Sequence, residues 1–307
     1  MAFPALILCL SLAVDRVFGD PPNALHPTAH LGRFIGWWGQ PGRYPASLQR
    51  SAGLVGALAT ASLFALPFLL VDMAAPPLLL IVAGPVLLKL CFAWRCLEEH
   101  VGAVEQALEG GMEGGREKVG YLVSRATGTL DEAGVRSAAY ESMTENLVDS
   151  IVSPLFFYTL FGLGGAAFYR AVNTMDAMLG YKDERALLGW FPARLDDLLN
   201  LVPARLTGLL LLLYFATKGR LQPALRMWRR DARKRPGING GIPMAVMAGG
   251  VGIRFEKPGE YVIGEDARSL QEAGAEIVAA VRAVTLLAAL LFGTTLVFIT
   301  LVPTYLW

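Results

Sequence analysis

Charge, histidine and cysteine are all scarce in this chain. Only 17% of the 307 residues are charged, the formal net charge is +1, and there are three histidines and three cysteines. So even a balance gives no basis for nucleic acid as a partner, which calls for a basic surface. Cys9, Cys91 and Cys96 lie in or beside apolar runs without zinc-like spacing. They read as small buried hydrophobes, and no disulfide framework is expected. Internal repeats and low-complexity tails are lacking as well. A cleavable signal peptide is not expected, since 1–14 has no basic n-region and no small-residue cleavage site, and Asp15 follows it directly.

What is present is apolar: 54% hydrophobic residues and a mean hydropathy of +0.46. That exceeds an ordinary soluble domain of this length and implies an all-α fold, a polytopic helical integral membrane protein. A single integral membrane domain is expected over 1–307, with cytoplasmic helical and glycine-rich loops at roughly 98–149 and 218–276. Four runs, 51–71, 73–88, 150–169 and 283–307, are long enough to span a bilayer or nearly so. Two shorter ones, 1–14 and 206–217, read as short spans, half-helices or buried segments. Asp72, Pro76 and Pro77 turn 51–71 into 73–88 as a hairpin. Eight basic residues from Lys218 to Arg235 place that loop in the cytoplasm by the positive-inside rule, with 15–50 and 98–149 on the same side and Trp307 outside. The segment 171–205 lies outside if two ordinary spans flank it. Pro154, Gly162, Gly164 and Gly165 also allow a broken or re-entrant helix. The segment 236–264, with eight glycines and three prolines, reads as a backbone-rich loop with short helical pieces.

Against this background the acids and amides stand out. Glu141, Glu145 and Asp149 recur at i, i+4, i+8, which stacks them on one helical face, with Asn146 beside them. The uncharged run 150–169 follows directly. Ionisable groups at membrane depth cost about 3 kcal/mol each, and their usual justification is a site. Closely set carboxylates suit magnesium, which takes oxygen ligands and bridges phosphates; the plain alternative is a solvated acidic stripe. Asn173 and Asp176, then Asp196 and Asn200 with Arg194 and Arg205 nearby, suggest a second set of metal or phosphate ligands. A structural ion pair between Arg194 and Asp197 is the competing reading. His26 and His30 have metal-pair spacing, but Pro21, Pro22 and Pro27 argue against a regular helix there. His30 reads as a turn histidine bonded to backbone and His26 as a ligand contact, with Asp15 and Asp20 just upstream. His100 reads as an ordinary surface residue. The turn Gly249-Gly250-Val251-Gly252 could offer amides to a phosphate, as a weak signal.

The order DRVFGDPPNALHPTAHLGRFI, GREKVGYLVSRATGTLD, YESMTENLVDSIVSPLFFY, YRAVNTMDAMLGY and ARLDDLLNLVPARLT resembles the adenosylcobinamide-phosphate synthase family, membrane enzymes of cobalamin biosynthesis, over about 15–264. The resemblance implies an ATP- and Mg2+-dependent ligase in the cell (inner) membrane, its active site toward the cytoplasm. Such an enzyme joins a propionate carboxyl of adenosylcobyric acid, a corrinoid acid, to the amine of aminopropanol phosphate or a related amino alcohol. It implies catalytic duty for Glu141, Glu145, Asp149 and Asp176, and magnesium binding by Glu145, Asp149, Asp196 and Asp197. Substrate contacts are implied for Asp15, Asp20, His26, Arg125, Asn146, Asn173, Arg194, Asn200, Arg205 and Asn239. Two departures from the family pattern bear on which amine or phosphate is recognised. Ala126-Thr127 stands where a charged residue is common, and RKRPGINGGIP lacks the His and Ser usually found ahead of the glycine-rich loop. Two other classes remain open. Asn146-x-x-Asp149 and Asn173-x-x-Asp176 are similar to the magnesium sites of intramembrane prenyltransferases. A corrinoid-binding or transport protein would use discontinuous helices around a midplane site.

Overall fold

The computed structural model describes residues 3–305, with side chains through 301; the expected exterior position of Trp307 lies outside the described residues. The all-α expectation holds apart from one hairpin. In chain order the helices are α1 (Phe3–Phe18), α2 (Pro27–Trp38), α3 (Gln49–Ala74), α4 (Pro77–Lys89), α5 (Trp94–Gly110), α6 (Met112–Gly120) and α7 (Glu132–Leu147). A π-helical turn (Val148–Val152) leads into α8 (Ser153–Leu179), α9 (Trp190–Leu199), α10 (Leu201–Thr217), α11 (Leu221–Asp231) and α12 (Gly241–Val251). Strands β1 (Arg254–Lys257) and β2 (Tyr261–Gly264) pair antiparallel before α13 (Leu270–Tyr305).

Among the described residues four helical stretches are long and apolar enough to cross a membrane: Ala46–Ala74, Pro77–Gly110, Glu132–Leu179 and Leu270–Leu301. These contain the runs 51–71 and 150–169 whole; of 73–88, residues 73–76 belong to the end of α3 and the turn, and 283–307 is followed as a span as far as 301. Counting α9 and α10 as one span bent by 43° gives up to five. Leu58, Leu66 and Leu70 on α3, Leu78 and Val82 on α4, and Leu290 and Phe298 on α13 are exposed, which in water would be a large apolar patch and in lipid is the expected outer face.

The chain divides into two compact units, one comprising 1–93, 149–200 and 289–307, the other 94–148 and 201–288. In the first, α3 packs on α8, its small residues Ala57 and Ala61 lying one turn apart in a core shared with α8, while Gly53 lies against the Leu188 carbonyl. Leu31, Ile35 and Trp38 of α2 and Ala171, Val172, Met175 and Leu179 of α8 complete that core. The broken helix allowed by Gly162 is present. Phe161 and Gly162 leave helical geometry, Gly162 at φ +65°, and a Cβ there would run into the Asp72 carboxylate. Asp72 Oδ2 accepts from the Leu163 and Gly164 amides. A residue that ends a hairpin helix in the sequence therefore caps the second half of α8, satisfying amides that the break sets free.

The second unit is built around α12, all of whose residues are buried. The glycines of 236–264 thus serve packing more than loop flexibility. A side chain at Gly249 would meet Met227, and one at Gly250 would meet the Phe215 ring. Beyond α12, the β1–β2 hairpin is tied to α11 by Asp231, which is fully buried. Its carboxylate accepts from Arg230 Nε (2.7 Å), Arg230 Nη2 (2.9 Å) and the Gly264 amide (2.8 Å), and pairs with Lys234 Nζ (2.7 Å). Burial raises the Asp231 pKa, but these donors outweigh it and hold the carboxyl well below the usual range. A lowered folded-state pKa contributes stability that is complete above the ordinary carboxylate value, about 4, and is lost as pH falls toward the folded value. The thermal midpoint of the wild type should therefore fall steeply below about pH 4, and Asp231→Asn, less stable at neutral pH, should show a shallower fall. Parallel pH profiles for the two proteins would refute this role.

Three local expectations are corrected. Residues 27–38 are helical despite the prolines, because Pro27 occupies the first turn, where its missing N–H is no loss. The GGMEGG stretch, turn-rich by its glycines, breaks the chain only near Gly111 (φ +132°), and Met112–Gly120 is helix. The turn Gly249–Gly252 is the C-terminal end of α12, closed by Gly252 at φ +82°. Carbonyls, not amides, are left over at such an end, so it offers nothing to a phosphate.

Candidate functional site

Each unit gathers expected residues into a polar centre of its own. In the first, α8 and α9 bring Asn173, Asp176, Asp196 and Asn200 together. Asp196 is buried; its Oδ1 accepts from Asn173 Nδ2 (3.3 Å) and its Oδ2 from Asn200 Nδ2 (2.9 Å). Asn200 is itself fixed, its Oδ1 accepting from Ser153 Oγ (2.6 Å) and Tyr169 OH (2.8 Å). Asp176 is near enough for its charge to act on Asp196, and Asp149 for its charge to act on Tyr169. The Asp196 carboxylate is thus locked in rotamer by two side-chain amides. Such preorganisation is what a ligand site needs and what a solvated stripe lacks. Among the described residues no three His, Cys, Asp or Glu side chains are arranged to enclose a metal ion. Magnesium bound through nucleotide phosphates needs only one or two protein carboxylates, so Asp176 and Asp196 fit that ion by their oxygen chemistry.

The ion pair considered for Arg194 is present: Nη1 lies 3.5 Å from Asp197 Oδ2, at the protein surface. An exposed pair of this length contributes little.

In the second unit α7 carries Glu141 and Glu145, both held by cations. Glu141 is buried, with Oε1 accepting from Ser137 Oγ (2.5 Å) and Oε2 from Tyr261 OH (2.6 Å), while Arg125 Nη2 is 3.1 Å from Oε2. Burial raises the Tyr261 pKa, and the negative charge of its acceptor Glu141 raises it further, so the phenol stays protonated as a donor. Glu145 pairs with Arg235. Asn146 Nδ2 donates to the Ser142 carbonyl (2.9 Å), one turn back on its own helix. Arg205 donates to Asn239 Oδ1 and to the Leu201 carbonyl, both at 2.8 Å.

Glu141, Glu145 and Asp149 do not continue as one ladder. The π-helical turn at Val148–Val152 takes in Asp149 and widens the helical repeat there, so the regular i, i+4 spacing ends at Glu145. Asp149 also belongs to the other compact unit.

A third cluster, in the first unit, joins Asp15 and Asp20 to a residue the sequence reading passed over. Lys89, only 2% exposed, pairs with Asp15 (3.3 Å) and with Asp20. His26 caps α2, its Nδ1 accepting from the Thr28 amide (3.1 Å), and its Nε2 lies 3.5 Å from Asp20. His30 bonds to the Ala24 carbonyl (2.9 Å), and His100, exposed, sits on the Cys96 carbonyl (2.7 Å), both as expected. The signal for Lys89 was its place at the end of an otherwise uncharged run. Tyr261 and Ser137 had no signal beyond residue type.

A family model described as CobD/Cbib protein matches residues 8–292. The chain is 40% identical over 265 residues to a probable cobalamin biosynthesis protein CobD of Methanothermobacter thermautotrophicus, covering 84% of this chain and 86% of the relative. It is 45% identical over 256 residues to a probable cobalamin biosynthesis protein CobD of Thermococcus kodakarensis, covering 82% of each. It is 43% identical over 268 residues to the cobalamin biosynthesis protein CobD of Chromobacterium violaceum, covering 84% of this chain and 83% of the relative. No solved structure matches.

Proposed function

Since the chain belongs to the CobD/Cbib protein family, we propose that it acts in cobalamin biosynthesis as an adenosylcobinamide-phosphate synthase. The reaction is ATP- and magnesium-dependent ligation of adenosylcobyric acid with aminopropanol phosphate or a related amino alcohol. Beside the family, the observation that carries this reading is the Asp196 centre, where a buried carboxylate is locked by two amides in a chain that is otherwise 54% hydrophobic. Those residues come from two separate motifs, YRAVNTMDAMLGY and ARLDDLLNLVPARLT.

A carboxylate does not condense with an amine in water without activation, and transfer of the ATP γ-phosphoryl group to it makes phosphate the leaving group. Catalysis of such transfers is mostly positioning and neutralisation of charge. Asp149, Asp176 and Asp196 are assigned to hold magnesium or to take the proton of the attacking amine. Asn173 and Asn200 orient Asp196. In the second unit Arg125, Arg205 and Arg235 are assigned to bind phosphate or propionate oxygens, and Glu141 and Glu145 to position the arginines they pair with.

The purified protein with adenosylcobyric acid, aminopropanol phosphate and magnesium-ATP should yield an amide, ADP and phosphate. Hydroxylamine in place of the amine should trap a hydroxamate. AMP in place of ADP would sink the acyl-phosphate step, and no corrinoid amide with any of a panel of amines would sink the ligase. Magnesium-dependent turnover without ATP would return the prenyltransferase reading.

The proposed location is the cell (inner) membrane, with 98–149 and 218–276 in the cytoplasm, where nucleotide is available. Single cysteines at the exposed positions Lys118 and Lys218, in a background lacking the native three, should both react with a reagent only from the cytoplasmic side. Labelling from opposite sides would refute the shared face.

A further inference from the structure

We propose that an open cleft of about 760 Å³, formed by α10, α11 and the 232–242 segment, is a phosphate-binding site built by Arg205, Arg229 and Arg233. The arginines of this region fall into two groups. Arg226 and Arg230 are matched with Glu265, and Arg230 also with Asp231. Arg229 and Arg233, four residues apart and exposed, have no acidic partner among the described residues, and no carboxylate lines the cleft. Arg205 reaches the same cleft from α10, its guanidinium already aimed by Asn239 and the Leu201 carbonyl. Three guanidinium groups around one space repel one another unless an anion enters. Arginine offers planar paired donors that match phosphate oxygens.

The remaining walls narrow the ligand class. Trp228, half-buried, and Ile242 line the cleft beside the arginines. A volume of this size accommodates a small molecule and far exceeds a bare phosphate ion. The cleft therefore suits a phosphate-bearing molecule with an apolar or ring portion that lies against the indole. Two sources share that chemistry, a soluble phosphorylated ligand and a phospholipid headgroup. The lining segment includes Arg233, Gly237, Ile238 and Ile242 of RKRPGINGGIP, the stretch where the chain departs from the family pattern. The identity of a soluble ligand rests on the proposed function; binding itself does not.

Binding can be read without turnover. The full chain in phosphatidylcholine nanodiscs is titrated calorimetrically with pyrophosphate, ATP and aminopropanol phosphate. The double variant Arg229→Ala/Arg233→Ala should bind at least one of them about 10- to 100-fold more weakly, the loss expected for charge-assisted hydrogen bonds. Arg226→Ala, which removes a surface pair with Glu265, should bind as wild type. If the loss appears only as weaker association with phosphatidylglycerol vesicles, the phosphate chemistry stands and the headgroup is its source. Unchanged affinity for all three ligands and for those vesicles would overturn the site. The two readings fail separately. Arginine-dependent binding in a protein that never makes a corrinoid amide would sink the ligase and leave the site. Amide formation with arginine-independent binding would do the reverse.

Discussion

Asp196→Asn should lower corrinoid amide formation by about 10²- to 10⁴-fold, the range spanned by loss of a charge-stabilising or proton-accepting group. The geometry makes the substitution severe although it is isosteric. Both Asp196 oxygens accept from side-chain amides, Asn173 on one side and Asn200 on the other. An asparagine at 196 would turn an NH2 toward one of those NH2 groups, so one donor loses its acceptor while the charge is removed. Asp176→Asn, at a half-buried position whose charge acts on Asp196, removes a charge while leaving both amides on Asp196 with their acceptor, and so separates the two effects. It should lose turnover by about 10²-fold or more while the protein inserts and purifies as wild type. Glu99→Gln, at an exposed residue paired with Arg95, is the control and should keep full activity. If both aspartate variants retain near wild-type turnover with the same magnesium requirement, the centre is structural and the site lies elsewhere.

How much of this was legible beforehand differs by scale. The four apolar runs were readable because lipid demands unbroken hydrophobicity over a fixed length, and the larger part of each falls within a candidate span. The Asn173, Asp176, Asp196 and Asn200 group was readable because polar side chains crowd there at helical spacing. The Glu141–Glu145–Asp149 ladder was misread past its second member. Spacing assumes 3.6 residues per turn, and nothing in VDSIV announces a π-helical turn. The α12 helix and its hairpin were hidden by glycine, which is read as loop but here allows Met227 and Phe215 to approach the backbone. Ala57 and Ala61, four residues apart on α3, are a signal in the sequence for its packing on α8. Asp72 shows the limit most clearly: its partners, the Leu163 and Gly164 amides, are about ninety residues away and exist only because α8 breaks.

Lys89→Met should cost about 3–5 kcal/mol of stability, because it strips the cation from a buried acidic group. Asp15 is fully buried near the end of α1, and Lys89 at the end of α4 is almost as enclosed. Asp20, a quarter exposed, can turn to water, but Asp15 has no such route. Loss of the Lys89 counter-charge favours protonation of Asp15 or entry of water between α1 and α4, which pack on each other. A lower thermal midpoint in detergent and faster proteolysis of the N-terminal helix should follow. The double variant Asp15→Leu/Lys89→Met decides what the cluster is for. Replacing a whole buried ion pair by apolar side chains is often neutral or stabilising, so the double variant should recover most of the lost stability. If it is also fully active, Asp15 is a structural counter-ion and drops out of the substrate set. A double variant that is stable yet inactive, with its corrinoid or amine KM raised, would instead mean that the pair is kept for binding. A double variant no more stable than Lys89→Met would refute the ion-pair account, since removing the stranded charge would then have relieved nothing.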